Sequence, residues 1–557
     1  MSKNKFDAIV VGSGATGGWA AKELTERGLR VLLLEAGPAY GKDAYAHLDE
    51  PKKPSRWPSL SRLRVALTGQ HIQAQAMFFN EDIRFLFVND RQNPYSCEPD
   101  TSFLWVRGRQ LGGRFLTFGR VLPRMSDFDF KAASRDGVGE DWPIDYAQLA
   151  PYYDRVEEFL GIVGEESDIP NAPNGKFVAK AGLTRWEREF KEKVQGRWPD
   201  RKVTPWRYMA SSAYRNHVPI TILAGKKTGL LEICTGAVVN RVLVDKNTAR
   251  ASGVSYIDAD TKRVTEVRAD VVVLCASTIE SVRLLLNSAC EAHPNGVGNS
   301  SGLLGRYFMD QCWAAAFGAV VGTGDHGWEA VDKGYGDSIS RNPGGIYIPR
   351  FQNISKESHP QFKRGFNIQG AIGRFVVPDG APPLFGFTAQ GEMLPYYDNR
   401  ISLDRSRTDA WGIPVPRIRC VPGQNEINML RNEMETLMEL VALSGYEIEF
   451  AGSQLGIDNS DNLMPHADWL TRFMFRRSHR KTLGMGAAIH ECGGARMGVD
   501  PEKSVLNPIN QVWDVKNLFV TDPSCFVSNG TCGPTHTAMA ITVRACEYIG
   551  NELGKSI

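Results

Sequence analysis

Phe6-Asp-Ala-Ile-Val-Val-Gly-Ser-Gly-Ala-Thr-Gly-Gly18, closed further on by Leu32-Leu-Leu-Glu35, decides how this chain folds. The apolar run at 8–11 reads as a strand buried in a parallel sheet. Gly12, Gly14 and Gly17 stand in GxGxxG spacing. The first permits a tight turn, the second lets backbone approach a pyrophosphate, and the third lets the following helix sit close on the sheet. A pyrophosphate there rests on a helix N-terminus, where free N–H groups and the dipole favour negative charge. Ala20, Ala21 and Leu24 give the helix its packing face, Gly28 ends it, and residues 31–34 form the second strand. Glu35, at that strand's tip, is placed to accept from a ribose hydroxyl. Strand, helix, second strand and acid in register predict a dinucleotide site. The spacing leaves NAD and FAD both open, because both use this turn.

At 557 residues the chain is too long for one ordinary core, so two or more lobes are expected. Lys and Arg number 65 against 63 Asp and Glu, with no basic block, which argues against a nucleic-acid partner. No apolar run reaches the roughly 18 residues of a membrane span. The strand at 8–11 is too short for a signal peptide. The expectation is a cytoplasmic protein with no membrane span, exported only if a partner subunit carries it. The ten cysteines contain no CxxC pair. They read as small buried hydrophobes, with no metal and no iron–sulfur cluster.

Outward from the first unit, residues 38–104 carry several prolines and many aromatics and suit a cover over a ligand, with a helical piece at 59–67. Arg107-Gly-Arg-Gln-Leu-Gly-Gly113 is a second glycine turn, and residues 142–161 read as an amphipathic helix entered through Pro143 and closed by Gly161. Residues 231–274 alternate as a strand meander that ends in the apolar strand 271–275, and a helix opens at Ser281. Between 313 and 465 short polar strands dominate. One long helix interrupts them, with Ile427, Leu430, Met434, Leu437, Leu440 and Val441 on its apolar face. The α/β signal resumes in strands at 511–513 and 518–520 and in a final helix over 538–553. The fold class is therefore α/β: a discontinuous Rossmann-like domain plus a mixed-sheet substrate-binding domain. The parts divide as 1–162 with a lid over 41–104, a substrate-side insertion over 163–229, then 230–312, the substrate domain 313–465, and 466–557.

These parts, taken in order, resemble the glucose–methanol–choline (GMC) oxidoreductases. The likeness runs over nearly the whole chain. It includes Arg109-Gln-Leu-Gly-Gly113, Trp142-Pro-Ile-Asp-Tyr-Ala-Gln-Leu-Ala-Pro-Tyr-Tyr153 and Ala276-Ser-Thr-Ile-Glu-Ser281. It continues through Leu303-Leu-Gly-Arg-Tyr-Phe-Met-Asp-Gln311, Ile489-His-Glu-Cys-Gly-Gly-Ala-Arg-Met-Gly498, Asn517-Leu-Phe-Val-Thr-Asp-Pro-Ser524 and Gly533-Pro-Thr-His-Thr-Ala-Met-Ala540. Asn93-Pro-Tyr95 and Trp105-Val-Arg-Gly-Arg109 are similar to the bacterial sugar-oxidising branch, which includes pyranose oxidase, gluconate and fructose dehydrogenase flavoproteins and glucoside 3-dehydrogenases.

The resemblance implies FAD, held by Gly12, Gly14, Gly17 and Glu35 at the ADP half. It implies Val238 beside adenine, Gly112 and Gly113 near the pyrophosphate or ribityl chain, Asp522 on the ribityl chain and Thr535 at the ring's pyrimidine edge. Thr117 stands where some relatives carry a histidine linked to the flavin, so the FAD is expected to be non-covalent. Residues 208–217 lack the clustered cysteines of iron–sulfur relatives. His490 resembles the family's base, which takes the O–H proton while a hydride leaves carbon for the flavin. The family's second catalytic group, a His or Asn, falls on Gly533 here, and His536 or Asn529 is expected to replace it. Gln390 and Glu392, flanked by Phe385, Phe387, Tyr396 and Tyr397, suit a sugar pocket. The expected activity is oxidation of a sugar or glycoside hydroxyl, at C3 in the glucoside 3-dehydrogenase manner. Electrons then pass to an acceptor subunit or a small-molecule acceptor. The alternatives are a flavin enzyme for a non-sugar alcohol and a flavin-binding protein without turnover.

Overall fold

The opening apolar run forms β1 (Phe6–Val11), whose last four residues are buried. The computed structural model describes residues 6–48, 58–77, 79–210, 217–321, 326–332, 334, 342–355, 358–459, 463–465 and 467–554. Helix α1 (Ala15–Glu26) and strand β2 (Val31–Glu35) complete the first unit, with Ala8 opposite Val31 in a parallel pair. Ala20, Ala21 and Leu24 of α1 pack on Val10, Val31 and Leu33. Gly12 has φ +93°, and a Cβ there would lie 2.4 Å from the Cys275 carbonyl oxygen. A Cβ at Gly17 would fall 1.8 Å from the Gly12 oxygen, so only glycine lets the helix lie this close to the turn.

Helix α2 (Tyr146–Leu160) starts where Asp145 and Gln148 form a reciprocal capping box and stops at Gly161, with φ 69°. Residues 142–144, expected inside it, precede that cap. Strand β3 (Leu231–Thr235) joins the parallel sheet beside β2. Strands β4 (Ala237–Asp245), β5 (Arg250–Asp258) and β6 (Val264–Leu274) form the expected meander. β6 serves two ladders: residues 264–268 pair antiparallel with β5, and residues 269–274 pair parallel with β1. The order is β3-β2-β1-β6-β5-β4. Helix α3 (Thr278–Asn287) follows β6 directly.

The second sheet contains β7 (Cys312–Ala319), β8 (Ile346–Ile348), β9 (Phe366–Ile372), β10 (Leu384–Gly391) and, after the long helix α4 (Gln424–Ser444), β11 (Glu447–Ser453). Its antiparallel order is β11-β7-β10-β9-β8, extended at the two edges by residues 456–457 and 204–205. Met429, Leu430, Leu437 and Leu440 of α4 bury Phe366, Ile368, Phe385 and Phe387 on one face of this sheet. The chain then returns to the first sheet, where β12 (Leu518–Val520) pairs parallel with β6. Helix α5 (Pro534–Glu552) packs on α1 and α2.

Further expectations change: the helix expected to open at Ser281 opens at Thr278. Residues 511–513 form isolated bridges, Gln511 with Phe519 and Val512 with Leu506, rather than a strand. The last helix opens at Pro534, four residues before the predicted start, because proline's fixed φ and missing N–H suit the first helical turn. Within the expected lid, the described residues include short helical pieces that enclose Tyr45, Val65, Leu86 and Leu104 in a core of their own. Of the segment read for iron–sulfur cysteines, residues 211–216 lie outside the described residues. Among the described residues no helix is long and apolar enough to cross a membrane.

Candidate active site

A cavity of about 1250 Å³ runs from the first glycine turn to the second sheet. At one end Gly14 caps α1 without any side-chain hydrogen bond, and the space where its Cβ would stand is open. The first-turn N–H groups of α1 are thus left for an anion. Ser13 joins the two glycine turns: its N–H and hydroxyl donate to Glu35 Oε2, at 3.1 and 2.5 Å, and its Oγ accepts from Gly112 N–H at 2.9 Å. Gly37 N–H donates to Glu35 Oε1 at 2.8 Å. These three bonds leave the carboxylate acceptor capacity for a ribose hydroxyl. Burial pushes the Glu35 carboxyl above its usual range, and these donors oppose that.

Val238 lines the cavity at the start of β4. Asp522 also lines it, gripped by the Ser281 hydroxyl and by Ser524 N–H at 3.0 Å. At the far end α5 begins with Gly533 as its cap, again with no side-chain hydrogen bond, and Thr535 faces the cavity. Thr117 is in the wall as well. Two uncapped helix N-termini with an acid at the β2 tip fit the charge pattern of a flavin adenine dinucleotide. Gly17 and Gly112 act behind the wall, Gly17 by helix packing and Gly112 by its bond to Ser13.

His490 lines the cavity after a loop held by Asp310, whose two oxygens accept from Gly486 N–H at 2.8 Å and His490 N–H at 2.9 Å. Burial, with help from nearby Glu491, pushes the Asp310 carboxyl up to about 7. The His490 ring is oriented by Gln311. The Gln311 Nε2 amide donates to the Gly530 and Cys532 carbonyls, at 2.8 and 3.1 Å, so its Oε1 is fixed as the acceptor 2.6 Å from His490 Nδ1. Nδ1 therefore carries the proton, and neutral His490 has an open lone pair on Nε2. Burial first, and the Arg114 cation second, lower the His490 pKa to about 4. A Cβ placed on Gly533 would stand 3.2 Å from Nε2, so glycine leaves the space before that lone pair clear.

The other two catalytic candidates are not brought to this space. His536 is two residues into α5, and the helical turn sends its ring toward α2. There it meets Tyr153 at 4.7 Å between ring centres, with Nδ1 3.3 Å from the Pro123 carbonyl and Nε2 3.6 Å from Glu157. Asn529 is buried away from the lining, and its side-chain amide has no hydrogen-bond partner. In the second sheet Gln390 lines the cavity but Glu392 does not. β10 ends at Gly391, so the two-residue alternation does not carry over. Glu392 instead sits buried between Arg350 and Arg364, at 3.3 and 2.9 Å. The cavity face of β10 is Gly386, Thr388 and Gln390, whereas Phe385 and Phe387 face α4. Tyr396 and Tyr397 lie outside the lining. Reasoning from sequence missed Ser13, Asp310 and Gln311. The segment ending in Asp310 and Gln311 was visible, but nothing in it signalled the contact with a histidine 179 residues away.

A glycine-cradled dinucleotide cavity that opens onto a neutral histidine is the arrangement of a dinucleotide-dependent oxidoreductase. The chain belongs to the GMC oxidoreductase family: its N-terminal model matches residues 6–311 and its C-terminal model residues 395–542. Membership makes it an enzyme that acts on CH–OH groups and binds FAD. Among similar proteins, 2-methyl-1,2-propanediol dehydrogenase of Mycolicibacterium austroafricanum is 27% identical over 98% of this chain and 96% of its own. The fructose dehydrogenase large subunit of Gluconobacter japonicus is 24% identical over 98% of each. The C-glycoside 3-oxidase of Arthrobacter globiformis is 23% identical over 99% of this chain and 96% of its own. Formate oxidase of Aspergillus oryzae, 15% identical with a TM-score of 0.64 over 99% of both chains, has the same fold.

Proposed function

We propose that this protein oxidises a hydroxyl of a sugar or glycoside to the carbonyl with His490 as the base, and that C3 is the first position to test. The observation that carries this reading is the Gln311 clamp, which leaves a neutral Nε2 facing open space in the cavity. FAD, when bound, supplies the hydride acceptor. Gly12, Gly14, Glu35, Val238 and Asp522 hold it, and Thr117, in place of a linking histidine, leaves it non-covalent. His490 takes the hydroxyl proton on Nε2 as the hydride departs, and the resulting imidazolium is stabilised through Nδ1–H to Gln311. Gln390 and Thr388 offer hydrogen bonds to the rest of the substrate from the sheet wall. A small-molecule acceptor or a partner subunit then removes the electrons.

The fructose and C-glycoside relatives support the sugar reading. The diol dehydrogenase favours a second reading, a non-sugar alcohol. Anaerobic bleaching of the flavin across monosaccharides, glycosides and simple alcohols separates the two. His490→Ala is expected to keep its flavin and to slow that bleaching about 10²–10⁴-fold, the usual worth of a positioned base. Bleaching at the wild-type rate would remove His490 from the role.

A further inference from the structure

The segment from Gly530 to Cys532, just before Gly533, is held by two side-chain amides from the second-sheet side of the cavity. Gln311 takes the Gly530 and Cys532 carbonyls, and Asn367 Nδ2 donates to the Thr531 carbonyl between them. Both amides thus have a committed donor end. Gln311 spends its other end on His490. Asn367 does not: its Oδ1 is buried with no hydrogen-bond partner among the described residues, although the residue is 1% exposed and lines the cavity. Turning the amide over would set its oxygen against the Thr531 oxygen, so Oδ1 is an acceptor by necessity. A buried acceptor without a donor is a cost that native structures rarely leave unmet.

Asn367 sits opposite Gln390 in the β9–β10 ladder, and Gln390 sits opposite Trp313 in the β10–β7 ladder. All three line the cavity, so the sheet wall presents an indole, an amide and an acceptor in one row. The Thr531 carbonyl that anchors Asn367 is two residues from Gly533, where the missing side chain clears the space before His490 Nε2.

We infer that Asn367 Oδ1 accepts a hydrogen bond from a second substrate hydroxyl, next to the one that gives its proton to His490, and so selects vicinal diols and polyols over single alcohols. This rests on the proposed alcohol oxidation at His490 and adds the substrate feature that the wall reads. A hydroxyl fits because it can donate. An ether, a halogen or a bare methylene at the same place leaves Oδ1 unpaired. Such an arrangement penalises the analogue that lacks the group more than it rewards the one that has it.

The test compares 1,2-propanediol with 1-propanol, and glucose with its 2-deoxy and 4-deoxy analogues, on the flavin-loaded protein and on Asn367→Ala with equal flavin content. Two readouts are taken: the second-order rate of anaerobic flavin reduction and the Kd of each compound by calorimetry. The wild type is expected to prefer the member of each pair with the neighbouring hydroxyl, and Asn367→Ala to lose about 10-fold or more of that preference, read as the ratio of the two rates within each pair. An equal loss for both members of a pair would show that Asn367 only braces the 530–532 segment, and an unchanged ratio would show that it reads nothing. Either overturns the inference. Should no compound reduce the flavin, the alcohol-oxidation reading fails, and the Kd ratios still decide the role of Asn367.

Discussion

At the scale of single residues the site depends on which atoms are already spoken for. His490 is a competent base because Gln311 fixes its tautomer, and Gln311 is fixed in turn because two carbonyls hold its amide hydrogens. With its pKa lowered to about 4 by burial and by Arg114, His490 stays neutral through the physiological range. None of this was legible in the sequence beyond the identity of His490, since the clamp joins residues 310–311, 490 and 530–532. Thr117 argues another point at this scale. It is in the cavity wall, where the family resemblance implies a linking histidine in some relatives, and a threonine hydroxyl has no route to a covalent flavin link under mild conditions. Acid precipitation is therefore expected to release all of the flavin into the supernatant, read by its visible absorbance. Yellow colour that stays in the washed pellet would contradict this.

At the scale of elements, periodicity located most strands and helices, though 511–513 forms isolated bridges and helix starts differ, and it did not always tell which way side chains point. The β1–α1–β2 unit was readable because glycine spacing, apolar run and terminal acid each constrain the same turn. In β10 the alternation was visible, yet the sequence could not say that the odd positions face α4 and the even ones the cavity. Nor did it show that the strand stops before Glu392. For α5 the error in the start mattered more. With the helix opening at Pro534, each residue turns about 100° from the last, so Thr535 faces the cavity while His536 faces α2. A structural role for His536 follows. His536→Ala removes a fully buried ring packed on Tyr153 and leaves a cavity, which should cost about 2–4 kcal/mol of stability. Its rate of flavin reduction should change less than about threefold at a temperature where the variant is folded. A loss of 10²-fold or more, with the fold intact by circular dichroism, would return the residue to the chemistry.

At the scale of the whole molecule, the titration of buried groups ties the fold to pH. His490 and His536 each have a folded pKa lowered to about 4, in both cases chiefly by burial. An unfolded histidine titrates near 6.5. Between these values the unfolded chain binds protons at both positions and the folded chain does not, so acidification favours unfolding. The stability these neutral rings allow is fully present above about pH 6.5 and is lost as the pH falls toward about 4. Asp310 acts in the opposite direction. Its folded pKa, raised to about 7, makes the folded state the one that binds a proton between about pH 4 and 7, which offsets one of the two histidines. One net proton remains, so these three groups together should make unfolding free energy fall by about 1.4 kcal/mol for each pH unit from 6 down to 4.5. His536→Phe keeps a ring against Tyr153 and removes one titrating site that touches no part of the cavity. Its stability over that window, measured by denaturant unfolding at matched pH values, should fall with acidification by about 1.4 kcal/mol per pH unit less than that of the wild type. A slope as steep as that of the wild type would show that His536 is not held neutral inside the fold.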